Sequence, residues 1–137
     1  MAEKHSKHDL VKQWIEKARH DLGIAETLVL YHSPYTDGIC FHAQQAVEKL
    51  LKAMLVFFDI PFKKNHNLVY FGDLLSEKVT ITDNLYEQFE ILEEYAVEIR
   101  YPDAGIEPTD DQAKEALSIA VGISKITQQW LTEHGLS

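Results

Sequence analysis

Phe41-His42-Ala43-Gln44-Gln45-Ala46-Val47-Glu48-Lys49-Leu50-Leu51-Lys52 is the run on which the fold turns. Phe41, Val47, Leu50 and Leu51 are joined by Met54, Leu55 and Phe58 at steps of three, four and seven. That is the spacing of an amphipathic helix rather than the alternation of a strand. The segment is the most apolar in the chain and carries its helical period up to Pro61.

The same period extends in both directions. Upstream, Val11, Trp14, Ile15, Ala18, Leu22, Ala25, Leu28 and Val29 form an apolar stripe between Lys12, Glu16, Lys17, Arg19 and Glu26, and His32-Ser33-Pro34 ends it. Downstream, the polar loop Lys63 to Asn67 leads into Leu68, Val69, Phe71, Leu74 and Leu75, which predict a short third helix. Thr80, Thr82 and Asp83 offer caps for a fourth helix carrying Leu85, Phe89, Leu92, Tyr95, Ala96 and Ile99. It ends near Arg100 because Pro102 cannot continue it. A last helix starts at Thr109-Asp110-Asp111 and runs through Ala113, Ala116, Leu117, Ala120, Ile123, Ile126, Trp130 and Leu131. Val79 to Thr82 alternates but is too short to build a sheet. The expectation is an all-α, antiparallel up-and-down bundle of four long helices and one short one, a single domain over 1–137 with its core at about 10–132. Trp14 and Trp130 fall near the outer ends of the first and last helices, as core residues closing the bundle or as part of a subunit contact.

Composition narrows the function. Hydrophobic residues make up 45% of the chain and charged ones 26%, which suits one globular domain. Thirteen basic against 22 acidic residues leave a net charge of -9, so the overall field repels phosphate and any phosphate site must be local. Cys40 has no second cysteine to pair with and sits between Ile39 and Phe41, as a buried small side chain in a reducing compartment. No apolar run approaches the ~20 residues needed to span a bilayer, so a cytoplasmic protein is expected.

Two short segments carry candidate chemistry. On the second helix Lys49 and Lys52 lie within about 40° of Gln45. One amide and two ammonium groups on a stripe suit a phosphate and the polar edge of a base or ribose. The plain alternative is a solvated face on which Glu48 pairs with Lys52 at i,i+4, contributing only ~0.2–0.5 kcal/mol. At the end of the fourth helix, Arg100 supplies a planar fork for phosphate, and Tyr101 a stacking face and a hydroxyl. Here the alternative is a cation favoured by the helix dipole and paired with Asp103. Glu93, Glu94 and Glu98 read as a solvated acidic face, since no histidine at i+3 completes a carboxylate metal site. His5 and His8 fall at the terminus, and no metal-protease, phosphate-loop or nucleophile-elbow motif is present. No metal or cofactor is assigned.

Taken in order, Gln44 to Ala53 on one helix, His66 before Leu68, and Arg100-Tyr101-Pro102-Asp103 after another helix resemble the HEPN family, as does the Ala18, Asp21, Leu22, Ala25 spacing. The resemblance covers about Trp14 to Trp130. It implies a prokaryotic helical bundle, usually a homodimer, encoded beside a minimal nucleotidyltransferase in a toxin-antitoxin type pair. Together with the two polar segments above, it leads to the expectation of a cleft near Gln45, Lys49, Lys52, Arg100 and Tyr101 that accepts a nucleotide of the ATP or GTP class or the partner nucleotidyltransferase. Some relatives are metal-independent endoribonucleases, with an arginine followed after four to six residues by a histidine. Arg100 matches that arginine, but residues 101–108 contain no histidine, which counts against RNA cleavage by the usual mechanism. Only His42 and His66 could replace it in space, and His66 reads more simply as a helix-start residue. A dimerisation scaffold with no ligand is the remaining reading.

Overall fold

Four of the five helices begin where a side-chain oxygen takes up an orphaned amide. The computed structural model describes residues 6–100 and 107–136, with only the backbone described for 96–100. Ser6 accepts from the Asp9 amide at 3.1 Å to open α1, Lys7–Leu30. Asn67 accepts from Tyr70 at 3.0 Å to open α3, Leu68–Leu75. Thr82 accepts from Leu85 at 3.1 Å at the head of α4, Asp83–Arg100. A reciprocal capping box between Thr109 and Gln112 opens α5, Asp110–Glu133. The exception is α2, Thr36–Phe57, which has no side-chain cap. Its place is set by packing instead.

The stops are equally local. His32 (φ 51°) and Asp59 (φ 58°) turn into the left-handed region just beyond α1 and α2. The turns let Ser33 N–H reach the Leu28 carbonyl and Ile60 N–H the Leu55 carbonyl, each at 2.9 Å. Satisfying those carbonyls offsets the roughly 1–2 kcal/mol that a side chain costs in that conformation. This is why α2 ends at Phe57 although its apolar period reaches toward Pro61.

The architecture is all-helical, and among the described residues there is no strand. Val79 instead drops into the core and Thr82 serves as a cap. Thirteen of the 22 residues of α2 are buried, and this helix packs against all four others. Around it Phe71 of α3, Phe89 and Leu92 of α4, and Ile123 of α5 are fully enclosed, each side chain contributing about 1.5–3 kcal/mol by leaving water. Cys40 is buried, as its neighbours implied, and so is Trp130. Among the described residues α1 and α4 do not pack on each other.

The closest approach of α3 to α4 depends on Gly72. A Cβ there would lie 2.8 Å from Cε2 of Phe89, a fully buried ring with nowhere to retreat. Gly72→Ala is expected to destabilise the protein by about 1–3 kcal/mol in urea unfolding. Gly122→Ala in α5, where a Cβ meets nothing within 4 Å, is expected to stabilise it by about 0.5–1 kcal/mol.

Candidate functional site

Two carboxylate-centred clusters lie along the polar stripe of α2. Asp21 projects from α1 and its side chain is only 9% exposed. One carboxylate oxygen accepts from Lys49 Nζ at 2.5 Å and the other from His42 Nδ1 at 2.8 Å. Six residues further along α2, Glu48 is more enclosed still, at 4%. It accepts from Lys52 Nζ at 3.1 Å, from His66 Nδ1 at 2.9 Å and from Gln44 Nε2 at 3.4 Å. Gln44 Oε1 in turn accepts from Gln45 Nε2 at 2.8 Å. An ionised carboxylate can only accept, so Nδ1 of each imidazole is the donor in these contacts.

Lys52 is held from two further sides. Its ammonium lies 5.5 Å from the ring centres of both Trp14 on α1 and Phe71 on α3. The rings replace part of the water that the ammonium has lost, because their faces attract a cation. Trp14 therefore belongs to this cluster, joining α1 to α3 over the floor of α2.

The Glu48–Lys52 pairing expected at i,i+4 is present, but the solvated face is not. Glu48 is buried and Lys52 nearly so. Gln45, Lys49 and Lys52 do share one stripe, with both ammonium groups committed to buried carboxylates. Each ammonium retains further N–H donors, but the two pairs together carry no surplus charge. Arg100 is the last residue of α4, seven positions after Glu93. Tyr101, like Pro102 and Asp103, lies outside the described residues. His66 is more than a helix-start residue, since Asn67 provides the cap and His66 reaches back to Glu48.

The acidic face ascribed to Glu93, Glu94 and Glu98 divides. Glu94 is exposed, but Glu93 turns inward and accepts from the Leu68 amide. Burial pushes its carboxyl above the usual glutamate range, against the bonds from Leu68 and Val69 that favour the charged form. The reason is positional: the first amides of α3 have no partners within their helix, and a carboxylate supplies one. Two residues along α4, Tyr95 donates to Glu115 of α5 at 2.9 Å, and burial followed by that carboxylate raises its phenol above the ordinary tyrosine value. Glu98 lies outside the described side chains.

Asp21 is the residue that periodicity alone passes over. An acid placed between Ala18, Leu22 and Ala25 on an apolar stripe is a sign of a buried partner, here Lys49 and His42.

With this geometry in view, the HEPN domain family profile matches residues 11–130. The chain belongs to the HEPN family. Its relatives include a protein of Methanocaldococcus jannaschii named "Putative toxin MJ1304", 32% identical over 139 aligned residues that cover 89% of this chain and 88% of the relative. The crystal structure of ST0689, an archaeal HEPN homologue, superposes with a TM-score of 0.70 at 25% identity, covering 87% of this chain and 95% of that one. The five-helix architecture thus agrees with the HEPN fold. Among the described residues no helix is long and apolar enough to cross a membrane.

Two measurements probe these clusters. Glu48→Ala leaves an enclosed ammonium without its counter-charge and is expected to cost about 3–5 kcal/mol in urea unfolding. By contrast, Lys7→Ala, which removes an exposed pair with Asp59, is expected to cost no more than about 1 kcal/mol. Glu93→Gln tests the raised carboxyl. A glutamate whose folded value lies above its unfolded one is favourable to folding only while protonated, and that contribution is lost as pH rises through the folded value. The variant should therefore gain melting temperature relative to the parent at pH 7, and the difference should shrink as pH falls through the glutamate range.

Proposed function

We propose that this HEPN protein is the helical member of a toxin-antitoxin type pair, a homodimer that associates with a minimal nucleotidyltransferase and holds a nucleotide of the ATP or GTP class. The observation that carries the pairing is its similarity, over 89% of the chain, to a protein named as a toxin. Supporting the nucleotide is the polar stripe of α2, where Gln45 carries an amide and Lys49 and Lys52 keep N–H groups left over from Asp21 and Glu48. In this reading Arg100 supplies a positive charge for the phosphates, and Tyr101 a surface for the base. The long-range field opposes a polyanion, which favours a small phosphate ligand over RNA.

Metal-independent RNA cleavage is a second reading with one observation in its favour. His42 and His66 are each held through Nδ1 by a buried carboxylate, the arrangement that orients an imidazole for proton transfer at Nε2. The absence of a histidine in the residues after Arg100 stands against it.

Calorimetric titration of the purified chain with ATP and with GTP tests the first reading. Saturable binding is expected, weakened about tenfold or more in Arg100→Ala, since a charge-assisted phosphate contact is worth ~1.5–3 kcal/mol. Equal affinity in both proteins would remove Arg100 from the site. No binding, together with RNA cleavage that disappears in His42→Ala or His66→Ala, would establish the second reading instead.

A further inference from the structure

The flank of α1 turned away from Trp14 and Asp21 has chemistry of its own. At about 100° per residue, Lys12, Ile15 and Arg19 fall within about 60° of one another, on the side that faces α5. Both α1 and α5 lie closely along α2 but meet each other only sparsely, and a groove of about 480 Å³ runs between them. Beneath it, the small side chains of Ala53 and Ser124 leave a niche of about 20 Å³ that reaches Leu50 and Met54 of α2. Ile15, Arg19, Gln128 and Leu131 line both spaces, so groove and niche form one depression.

Its end wall comes from the way α5 stops. Gly135 takes φ 95°, which lets Leu136 N–H bond back to the Leu131 carbonyl at 2.8 Å. A return turn of this kind sets the side chain after the glycine against the last turn of the helix, and Leu136 and Leu131 both line the groove. The result is an apolar bed of Ile15, Leu131 and Leu136 beneath a polar rim.

The rim selects the ligand. Lys7, Lys49 and Lys52 each meet a carboxylate, whereas Lys12 and Arg19 make no ion pair among the described residues. Glu16 is the one acid among the residues that line the groove, so two cations outnumber it in a chain whose net charge is -9. Gln128 spends one N–H on Thr132 at 3.4 Å and keeps the other. A guanidinium fork with a second cation beside it matches a carboxylate, and an apolar bed with a few convergent polar groups is the usual make-up of a small-molecule site.

We propose that the α1–α5 groove binds a small organic anion with an apolar body, an alkyl or aryl carboxylate, its head group against Arg19 and Lys12 and its body over Ile15, Leu131 and Leu136. This site is separate from the polar stripe of α2 and stands whether or not a nucleotide binds there. Amide-shift NMR of the isotope-labelled full chain tests it, with octanoate as the probe and octan-1-ol and acetate as its two halves. Octanoate is expected to give saturable shifts at Ile15, Gln128, Leu131 and Leu136, octan-1-ol to bind about tenfold more weakly, and acetate to give no saturation. Arg19→Gln should weaken octanoate about tenfold, while Glu16→Gln, which removes the opposing charge, should tighten it about two- to fivefold. Lys17→Gln makes the same change of net charge as Arg19→Gln but outside the groove, and should leave the affinity as it was. All three side chains are exposed, and thermal melts confirm that the fold is kept. No saturable shift at the groove amides, or equal affinity in Arg19→Gln and Lys17→Gln, would overturn the site. Octan-1-ol binding as tightly as octanoate would overturn the assignment of an anion.

Discussion

Two carboxylates have been taken out of water near the middle of this bundle, and each is sustained there by an ammonium and an imidazole. Asp21 has Lys49 and His42; Glu48 has Lys52 and His66, with Gln44 besides. A buried pair of this kind is a weak source of net stability, because the attraction only about offsets the cost of desolvation. Its effect is on alternatives. If α1 slid one turn along α2, Asp21 would leave both partners and bury its charge alone. The apolar stripes of the two helices, rich in alanine and leucine, discriminate far less between such registers. The polar groups select the arrangement, and the apolar core supplies most of the energy that holds it.

The same groups shape the cleft. The Trp14–Lys52–Phe71 stack ties α1 to α3 across α2, the Glu48–His66 bond ties the entry of α3 to the same helix, and Glu93 draws α4 toward α3. α1 and α4 are each fastened to the centre and, among the described residues, not to one another. A polar strip that is partly buried and internally satisfied is suited to a ligand that exchanges hydrogen bonds with it. Its donors are already oriented, so less freedom is lost on binding.

How far the sequence reveals all this follows from which signals are local. Helix spans and the caps at Thr82 and Thr109 were legible because a cap and a 3.6-residue period are properties of adjacent residues. The stop at Phe57 was not, since it depends on Asp59 adopting a left-handed conformation that no motif announces. Lys49 and Lys52 were legible as a stripe, and their occupation by Asp21 and Glu48 was only half legible. The Glu48–Lys52 contact spans four residues, whereas Asp21–Lys49 spans 28 and exists only once two helices pack. Glu93 was misread for the same reason. Its partner, the start of α3, is 25 residues away, and helical spacing alone cannot separate an exposed carboxylate from one that caps another helix.

The electrostatic consequence reaches the function. Two lysines on a helix face read from sequence as two free charges, but here each is matched within its own cluster, so a phosphate arriving at the strip meets donors without net attraction. Any selectivity for an anion must then come from groups outside those pairs. The structural lysines cannot be strengthened as ligand cations by removing their carboxylates, because those carboxylates hold the helices that form the cleft. The pairs therefore act on stability first, and an acidic protein can keep a strip rich in lysine and glutamine on its central helix without that strip presenting net positive charge.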